Sequence, residues 1–388
     1  MMNILFISFD ADPPHMGGTA TVVNVIAREF QNRGHEVFLG FYTKSEHPSV
    51  FFSKKVNLAS EAEIKSFVER YTIDIIYNTQ AIGTNWNILK EYFPNAKIVS
   101  AYHNKPLLRY FHLESLLNIF YESNNVLYKF YTLCKIPLLP FWKLRSQRRE
   151  KIEFQKMYAN SDKIQLLSEK FYPNFLKILP DASIKKLVAI GNPIVYNALY
   201  PSNKLCDKEK KVIVVCSTNY QKRAYLMIKI WACIEKDARF NDWTFDFVGG
   251  GEGFGRILEL SRKLNLQRIN FVGYQQPLDY YYKGSIFMMT SRYEGWPMVL
   301  MEAMQMGVVP VVYNSFESLS DIVTDGFNGF VVKNNQHNIF VEKMKRLMLD
   351  DTLRQEMAVH AMESCQRYTI EKIVNRYESL FNDLIKNE

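Results

Sequence analysis

From end to end the chain alternates short apolar runs, many of them β-branched, with stretches whose apolar residues recur at helical spacing. In the first half the runs fall at 4–9, 37–41, 73–77, 98–102, 164–167 and 187–190. In the second they fall at 212–216, 245–248, 269–272, 286–289, 308–312 and 330–332. Runs this apolar leave no polar face for water, so each is expected to be a strand buried on both sides. Strands of that kind, alternating with helices, build parallel sheets with helices across their faces, an α/β fold. The first crossover helix is legible residue by residue. Val22, Val23, Ile26, Ala27 and Phe30 form one stripe, Gly34 ends it, and Glu36-Val37 opens the next strand.

The pattern occurs twice. Gly191-Asn192-Pro193 ends one strand, and a polar stretch from Pro201 to Lys211 leads into Val212, which reads as a linker. With 388 residues, 47% of them hydrophobic, each half can bury its own core. The expected division is a first lobe over 1–195, a second over 196–368, and a closing amphipathic helix over 369–388 on which Ile373, Tyr377, Leu380 and Leu384 share a face. An insert at about 106–157 exceeds what the first lobe needs. It carries Leu107-Leu108, Tyr110-Phe111, Phe130-Tyr131 and the apolar run 136–142, followed at once by Lys143, Arg145, Arg148, Arg149 and Lys151. Bulky apolar residues beside a basic run suit peripheral contact with an anionic membrane; an internal helical hairpin with a solvated basic face is the alternative.

The formal net charge of +8 favours an anionic partner. No nucleic-acid-binding module is recognisable, so phosphate ligands and membrane surfaces lead. The five cysteines are scattered without CxxC spacing, which points away from zinc and disulfides and fits a reducing cytosol. Residues 1–9 lack the pattern of a signal peptide, and no apolar run is long enough to span a bilayer. A cytoplasmic protein, peripheral at most to the inner face of a membrane, is expected.

The densest chemical signal follows the run 286–289: Ser291-Arg292-Tyr293-Glu294-Gly295-Trp296-Pro297-Met298-Val299-Leu300-Met301-Glu302-Ala303. Open α/β sheets bind ligands beyond the carboxyl ends of their strands. Pro297 is expected at the first position of a helix, where its missing N–H costs nothing. The amides of Met298 and Val299 would then lie without internal partners at the positive end of the helix, ready for a diphosphate. Gly295 permits close backbone approach, Glu294 can accept bonds from sugar hydroxyls, and Glu302 can reach a ribose.

Three further groups sit at strand ends. Pro14-His15-Met16-Gly17-Gly18 follows the first strand, and its glycines suit an anion or a sugar. His103 follows the fourth run and can bond a sugar hydroxyl. Ser217-Thr218-Asn219-Tyr220-Gln221-Lys222-Arg223 follows the first strand of the second lobe, where Lys222 and Arg223 can offset phosphate charge without metal. Asp10-Ala11-Asp12 spells a DxD, but it overlaps the glycine turn and has no companion carboxylates, so no metal is expected. Gly249-Gly250-Gly251-Glu252-Gly253-Phe254 fails the G-x-G-x-x-G spacing, which disfavours a nicotinamide cofactor.

Over nearly its whole length the chain resembles glycosyltransferase family 4, retaining enzymes of GT-B fold. The resemblance is carried by Pro14-His15-Met16-Gly17-Gly18, Gly34-His35-Glu36-Val37, His103, Gly191-Asn192-Pro193-Ile194, Lys222, Phe247-Val248-Gly249-Gly250-Gly251, Phe271-Val272-Gly273 and Asp325-Gly326-Phe327-Asn328-Gly329. Most specific is Ser291 through Ala303, which contains the family's E-x7-E pattern as Glu294 and Glu302.

The resemblance implies two Rossmann-like lobes with parallel sheets facing across a cleft, and a last helix crossing back to the first lobe. It implies that Glu294 holds the donor sugar, Glu302 the ribose, and Met298 and Val299 the diphosphate. Gly17 and Gly18 line the site, His103 lies near the reacting carbon, and Gly273 and Tyr274 meet the base. One departure stands out: Ser217 occupies the place of an Arg common in the family, and Arg223 that of a Gly after the Lys. Arg223 or Asn219 is expected to take over part of the missing Arg's work.

The expected reaction moves a hexose-type sugar, with retention and without metal or other cofactor, from a UDP- or GDP-linked donor to a glycan or lipid-linked glycan. Polysaccharide or lipopolysaccharide assembly is the expected setting. A nucleotide-sugar epimerase of similar shape and a non-catalytic carbohydrate-binding subunit are the rivals.

Overall fold

The computed structural model describes residues 1–10, 17–43, 52–80, 82–106 and 126–386. The chain forms two units, one made of Met1–Arg109, Ser146–Val195 and Tyr368–Glu388, the other of Tyr110–Arg145 and Tyr196–Arg367. The insert residues Leu107, Leu108, Tyr110 and Phe111 lie outside the described residues, as do Pro13 to Met16 and Asp12.

In the first unit seven strands are described: β1 (Asn3–Asp10), β2 (Glu36–Thr43), β3 (Lys54–Asn57), β4 (Ile75–Asn78), β5 (Lys97–Tyr102), β6 (Lys163–Leu166) and β7 (Leu187–Ala189). Every pairing is parallel, in the order β3-β2-β1-β4-β5-β6-β7. The order reverses between β1 and β4, so the chain leaves those neighbouring strands toward opposite faces and opens a crevice beyond their carboxyl ends. Each run expected in this half is a strand. The additional one, β3, is an edge strand with a single fully buried residue, Val56.

The first crossover helix, Gly17–Asn32, buries Val22, Val23, Ile26, Ala27 and Phe30. Gly34 closes it with φ +84°: the Gly34 amide donates to Gln31 and the His35 amide to Phe30, the paired bonds of a left-handed helix end.

The C-terminal helix, Ile370–Lys386, belongs to this unit and packs on the first helix. Its buried residues are Ile373, Val374, Tyr377 and Phe381; Leu380 and Leu384, expected on the same face, are only partly covered. Phe381 stacks on Phe30 with ring centres 5.5 Å apart, and Tyr377 shares a hydroxyl–hydroxyl bond of 3.0 Å with Tyr77 of β4. Glu378 meets Arg33 at 2.9 Å and His35 at 3.0 Å.

The second unit repeats the plan with β8 (Lys211–Val215), β9 (Thr244–Val248), β10 (Ile269–Gly273), β11 (Ile286–Met289), β12 (Val309–Asn314) and β13 (Phe330–Lys333). Their order is β10-β9-β8-β11-β12-β13, again all parallel. The reversal between β8 and β11 brings the ends of these two strands together, and with them the two segments richest in candidate residues.

Candidate active site

The second unit's site begins where β8 stops. Ser217 to Arg223 form the loop that leads into the helix Ala224–Glu235, and Thr290 to Pro297 form the loop that leads from β11 into the helix Met298–Gln305. The two loops are bonded to each other. The Arg292 amide donates to Gln221 O at 2.8 Å, and Gln221 Nε2 donates to Tyr293 O at 2.8 Å. Across this seam Lys222 Nζ reaches Glu294 Oε1 at 2.6 Å, and Gln221 Nε2 donates to Glu294 Oε2 at 3.1 Å. The Glu294 side chain is 8% exposed and that of Lys222 18%, so this ion pair is largely screened from water. A carboxylate so held is fixed in place with lone pairs still free for a ligand.

Pro297 was expected inside the helix; it stands one place earlier, as the N-cap, and Met298 is the first helical residue. Its ψ of 100° is extended, which excludes it from the helical turn. The outcome for the amides is unchanged. The first backbone bonds of the helix run from Leu300 and Met301 to Pro297 O, at 3.0 and 3.3 Å, and leave the Met298 and Val299 amides ahead of them at the positive end. Gly295 and Trp296 are buried, and Ser318 Oγ pins the loop by donating to Gly295 O at 2.7 Å.

Glu302 lies one turn further on. The Tyr281 hydroxyl donates to its Oε2 at 3.0 Å. Burial pushes the Glu302 carboxyl up to about 7, against the opposing pull of the Tyr281 bond. Cys216, at the end of β8, is held as a neutral thiol: burial raises it to about 12, with Lys222 opposing and Glu294 assisting.

Arg223, expected to take over part of a phosphate-binding Arg's work, points its guanidinium into the protein. Its guanidinium is buried and committed to the protein: Nε donates to Thr290 O, Nη2 to Ser291 O at 3.0 Å, and Nη1 to Asn335 Oδ1 at 3.0 Å. It also lies over the Tyr313 ring at 5.1 Å. Its backbone has φ +52°, the left-handed conformation that favours glycine. That conformation suits the glycine that the resemblance implies in this place, while the guanidinium's bonds offset the strain of an arginine. Asn219 also turns inward, accepting from the Lys222 amide at 3.3 Å. Lys222 is therefore the cation in this loop that faces Glu294.

Gly249 has φ +130°, and a Cβ there would lie 1.9 Å from Cys216 O, so this turn admits only glycine. The Gly249 amide bonds Gly273 O at 2.7 Å. Gly273 has φ +80°, and Tyr274 after it is 72% exposed with its ring beside Gly250 and its hydroxyl beside Gly251. In the first unit Gly17 and Gly18 open the helix that follows β1. His103 stands one residue beyond β5, and burial lowers its imidazole to about 4, with Asn192 opposing. Its two ring nitrogens are shut from solvent and lie outside hydrogen-bond geometry. Among the described residues no group of three or more His, Cys, Asp or Glu is placed to hold a metal ion.

Gln221, Tyr281 and Ser318 were not singled out by sequence. Gln221 lies inside a quoted segment but carries no charge to mark it, and Tyr281 and Ser318 reach the site from elements with no motif.

The family described as "Glycosyl transferases group 1" matches residues 198–363. An uncharacterized glycosyltransferase of Haemophilus influenzae is 27% identical over 197 residues, covering 50% of this chain and 54% of its own. The amylovoran biosynthesis glycosyltransferase AmsD of Erwinia amylovora is 27% identical over 206 residues, covering 52% and 57%. The chain thus spans little more than half the length of these relatives. In three dimensions Anabaena HepE, solved in complex with UDP-glucose, superposes with a TM-score of 0.69 at 16% identity, over 99% of this chain and 100% of that one. At that identity the likeness speaks for the fold, GT-B. The segment 198–363, which holds the Lys222–Glu294 pair and the helix behind it, is thus similar to the glycosyl transferases group 1 family.

Proposed function

We propose that the protein is a retaining glycosyltransferase that moves a hexose-type sugar from a UDP-linked donor to a hydroxyl of a glycan or lipid-linked glycan. The observation that carries this reading is the buried Lys222–Glu294 pair beside the open amide end of the helix Met298–Gln305. The amides and Lys222 supply positive charge where a diphosphate leaving group gains negative charge, and they do so without a metal. Glu294 accepts bonds from the donor sugar's hydroxyls, Glu302 from the ribose, and Tyr274 flanks the base. The bond from the sugar's anomeric carbon to the phosphate oxygen breaks as the acceptor oxygen bonds to that carbon on the same face. The acceptor's proton passes to the departing phosphate. His103, uncharged at neutral pH, meets the sugar by hydrogen bonding and not by charge.

Uracil is the base favoured, because HepE was solved with UDP-glucose. AmsD is named for amylovoran biosynthesis, which supports a polysaccharide setting. Incubating the protein with UDP-sugars and following UDP release tests the reading. Release that vanishes in Glu294→Gln with the fold intact supports it, and full activity in that variant overturns the assignment of Glu294.

Part of the insert supports a peripheral membrane site. On the helices Val126–Lys135 and Leu139–Asn160 and the turn between them, the large apolar residues Val126, Leu127, Phe130, Tyr131, Leu133, Leu138, Phe141 and Leu144 are exposed. Residues 126–145 also hold Lys129, Lys135, Lys143 and Arg145 and no Asp or Glu. That combination suits insertion at an anionic interface. Among the described residues no helix is long and apolar enough to cross a membrane. Co-sedimentation with phosphatidylglycerol vesicles but not with phosphatidylcholine vesicles is expected; failure with both removes the membrane from the account.

A further inference from the structure

Gln80 lies two residues past β4, at the strand-order reversal of the first unit's sheet. Its backbone is tied on both sides. The Gln80 amide donates to Asn78 Oδ1 at 3.0 Å, Thr84 Oγ1 donates to Gln80 O at 2.7 Å, and Asn78 Nδ2 donates to Thr84 Oγ1 at 2.9 Å. All three residues are buried, Gln80 to within 2% of full coverage. Its side chain is the exception: among the described residues neither Oε1 nor Nε2 has a partner, and neither touches solvent. Exchanging oxygen and nitrogen changes nothing, since both are orphaned. A folded protein seldom leaves a whole carboxamide unbonded, because each buried unsatisfied group destabilises it.

The neighbouring strand ends repeat the pattern. Parallel pairing sets Asn78 of β4 beside Ser100 of β5, so Gln80 and His103 follow adjacent strands at closely matching heights. Both ring nitrogens of His103 are likewise buried outside hydrogen-bond geometry, with Asn192 beyond β7 as their polar neighbour. The orphaned Gln80 carboxamide includes an acceptor, Oε1, which an ionised phosphate cannot satisfy because it has no proton to donate. A cation satisfies Oε1 but not Nε2. Hydroxyl groups satisfy both.

We propose that the Gln80 carboxamide, held rigid by Asn78 and Thr84, is a hydroxyl-binding position that orients a sugar ring in the first unit. This rests on the glycosyltransferase reading and names a contact that the reading itself does not assign. The hydroxyls belong either to the donor sugar or to the acceptor.

Gln80→Leu keeps the side chain's size and removes both polar atoms; Gln80→Met serves as the second variant. UDP, UDP-glucose, UDP-galactose and UDP-N-acetylglucosamine are titrated into wild type and variant by calorimetry. Methyl glucoside is followed by saturation-transfer NMR with UDP present. The expected result is unchanged affinity for UDP, a thermal midpoint equal to or above wild type, and about tenfold weaker sugar binding. Loss confined to UDP-sugars assigns the position to the donor, and loss confined to methyl glucoside assigns it to the acceptor. Wild-type affinity for every sugar in both variants overturns the proposal, as does a lowered midpoint in both, which would mean that the amide is structural. Wild type that binds neither UDP nor any UDP-sugar defeats the glycosyltransferase reading instead.

Discussion

Glu302→Gln separates what the site costs the fold from what it does for the ligand. Burial raises this carboxyl from the ordinary glutamate value of 4.5 to about 7. Between those two pH values the folded protein holds a proton that the unfolded chain has released, so stability falls as pH rises through the interval and levels off above it. At 1.36 kcal/mol per pH unit the ionised carboxylate costs the fold about 3 kcal/mol at pH 8. Glutamine keeps the bond with Tyr281 and never ionises. Urea unfolding of wild type and Glu302→Gln from pH 4.5 to 8 should therefore diverge, nearly equal at the acid end and with the variant about 3 kcal/mol more stable at pH 8. The same variant should bind UDP more weakly at pH 8, where wild type offers the ribose a carboxylate, and the two should converge as pH falls below 7. A stability difference that does not change with pH would refute the argument.

Three other perturbations test the geometry. A double-mutant cycle on Lys222→Met and Glu294→Gln should give a coupling of about 2 kcal/mol in unfolding stability, since either single change leaves a largely buried partner alone; strictly additive effects would deny the ion pair. Arg223→Gly relieves a left-handed arginine but strips three bonds from the Thr290, Ser291 and Asn335 oxygens, so chemical denaturation should show a net loss of about 2 kcal/mol, and a gain would mean that those bonds contribute nothing. Gly249→Ala should lower the thermal midpoint sharply, because its Cβ would overlap Cys216 O; an unshifted midpoint would show that the two loops are not so closely apposed.

The parts of the fold written in buried strands were plain from sequence. Strands such as β1, β4, β5 and β11 are covered on both faces, so nearly every residue must be apolar and the run stands out. β3 did not, because an edge strand with lysines at its start buries only Val56 and leaves no run to see. The closing helix was visible by its period, but its buried face shifts from Leu380 and Leu384 to Val374 and Phe381, since the partner surface of Phe30 and Tyr77 decides which flank is covered. At the site, the strand–loop–helix setting of Glu294 was legible because local chain geometry creates it. The fate of Arg223 was not: a positive charge next to Lys222 reads as a phosphate ligand until the backbone turns left-handed and points the guanidinium at its own strand ends. Tyr281 joins Glu302 across 21 positions with no motif, and only the packed fold brings them together.

The central claim is that the Lys222–Glu294 pair and the helix amides behind it hold a nucleotide-linked sugar for transfer. It is tested most directly by offering the protein a set of UDP-sugars with a lipid-linked or soluble glycan acceptor and reading both UDP release and the anomeric configuration of the product by NMR. The account predicts acceptor-dependent UDP release, a product with the donor's own configuration, full activity in EDTA, and loss of both release and product in Glu294→Gln. Release that needs no acceptor, an inverted product, or an active Glu294→Gln would contradict it.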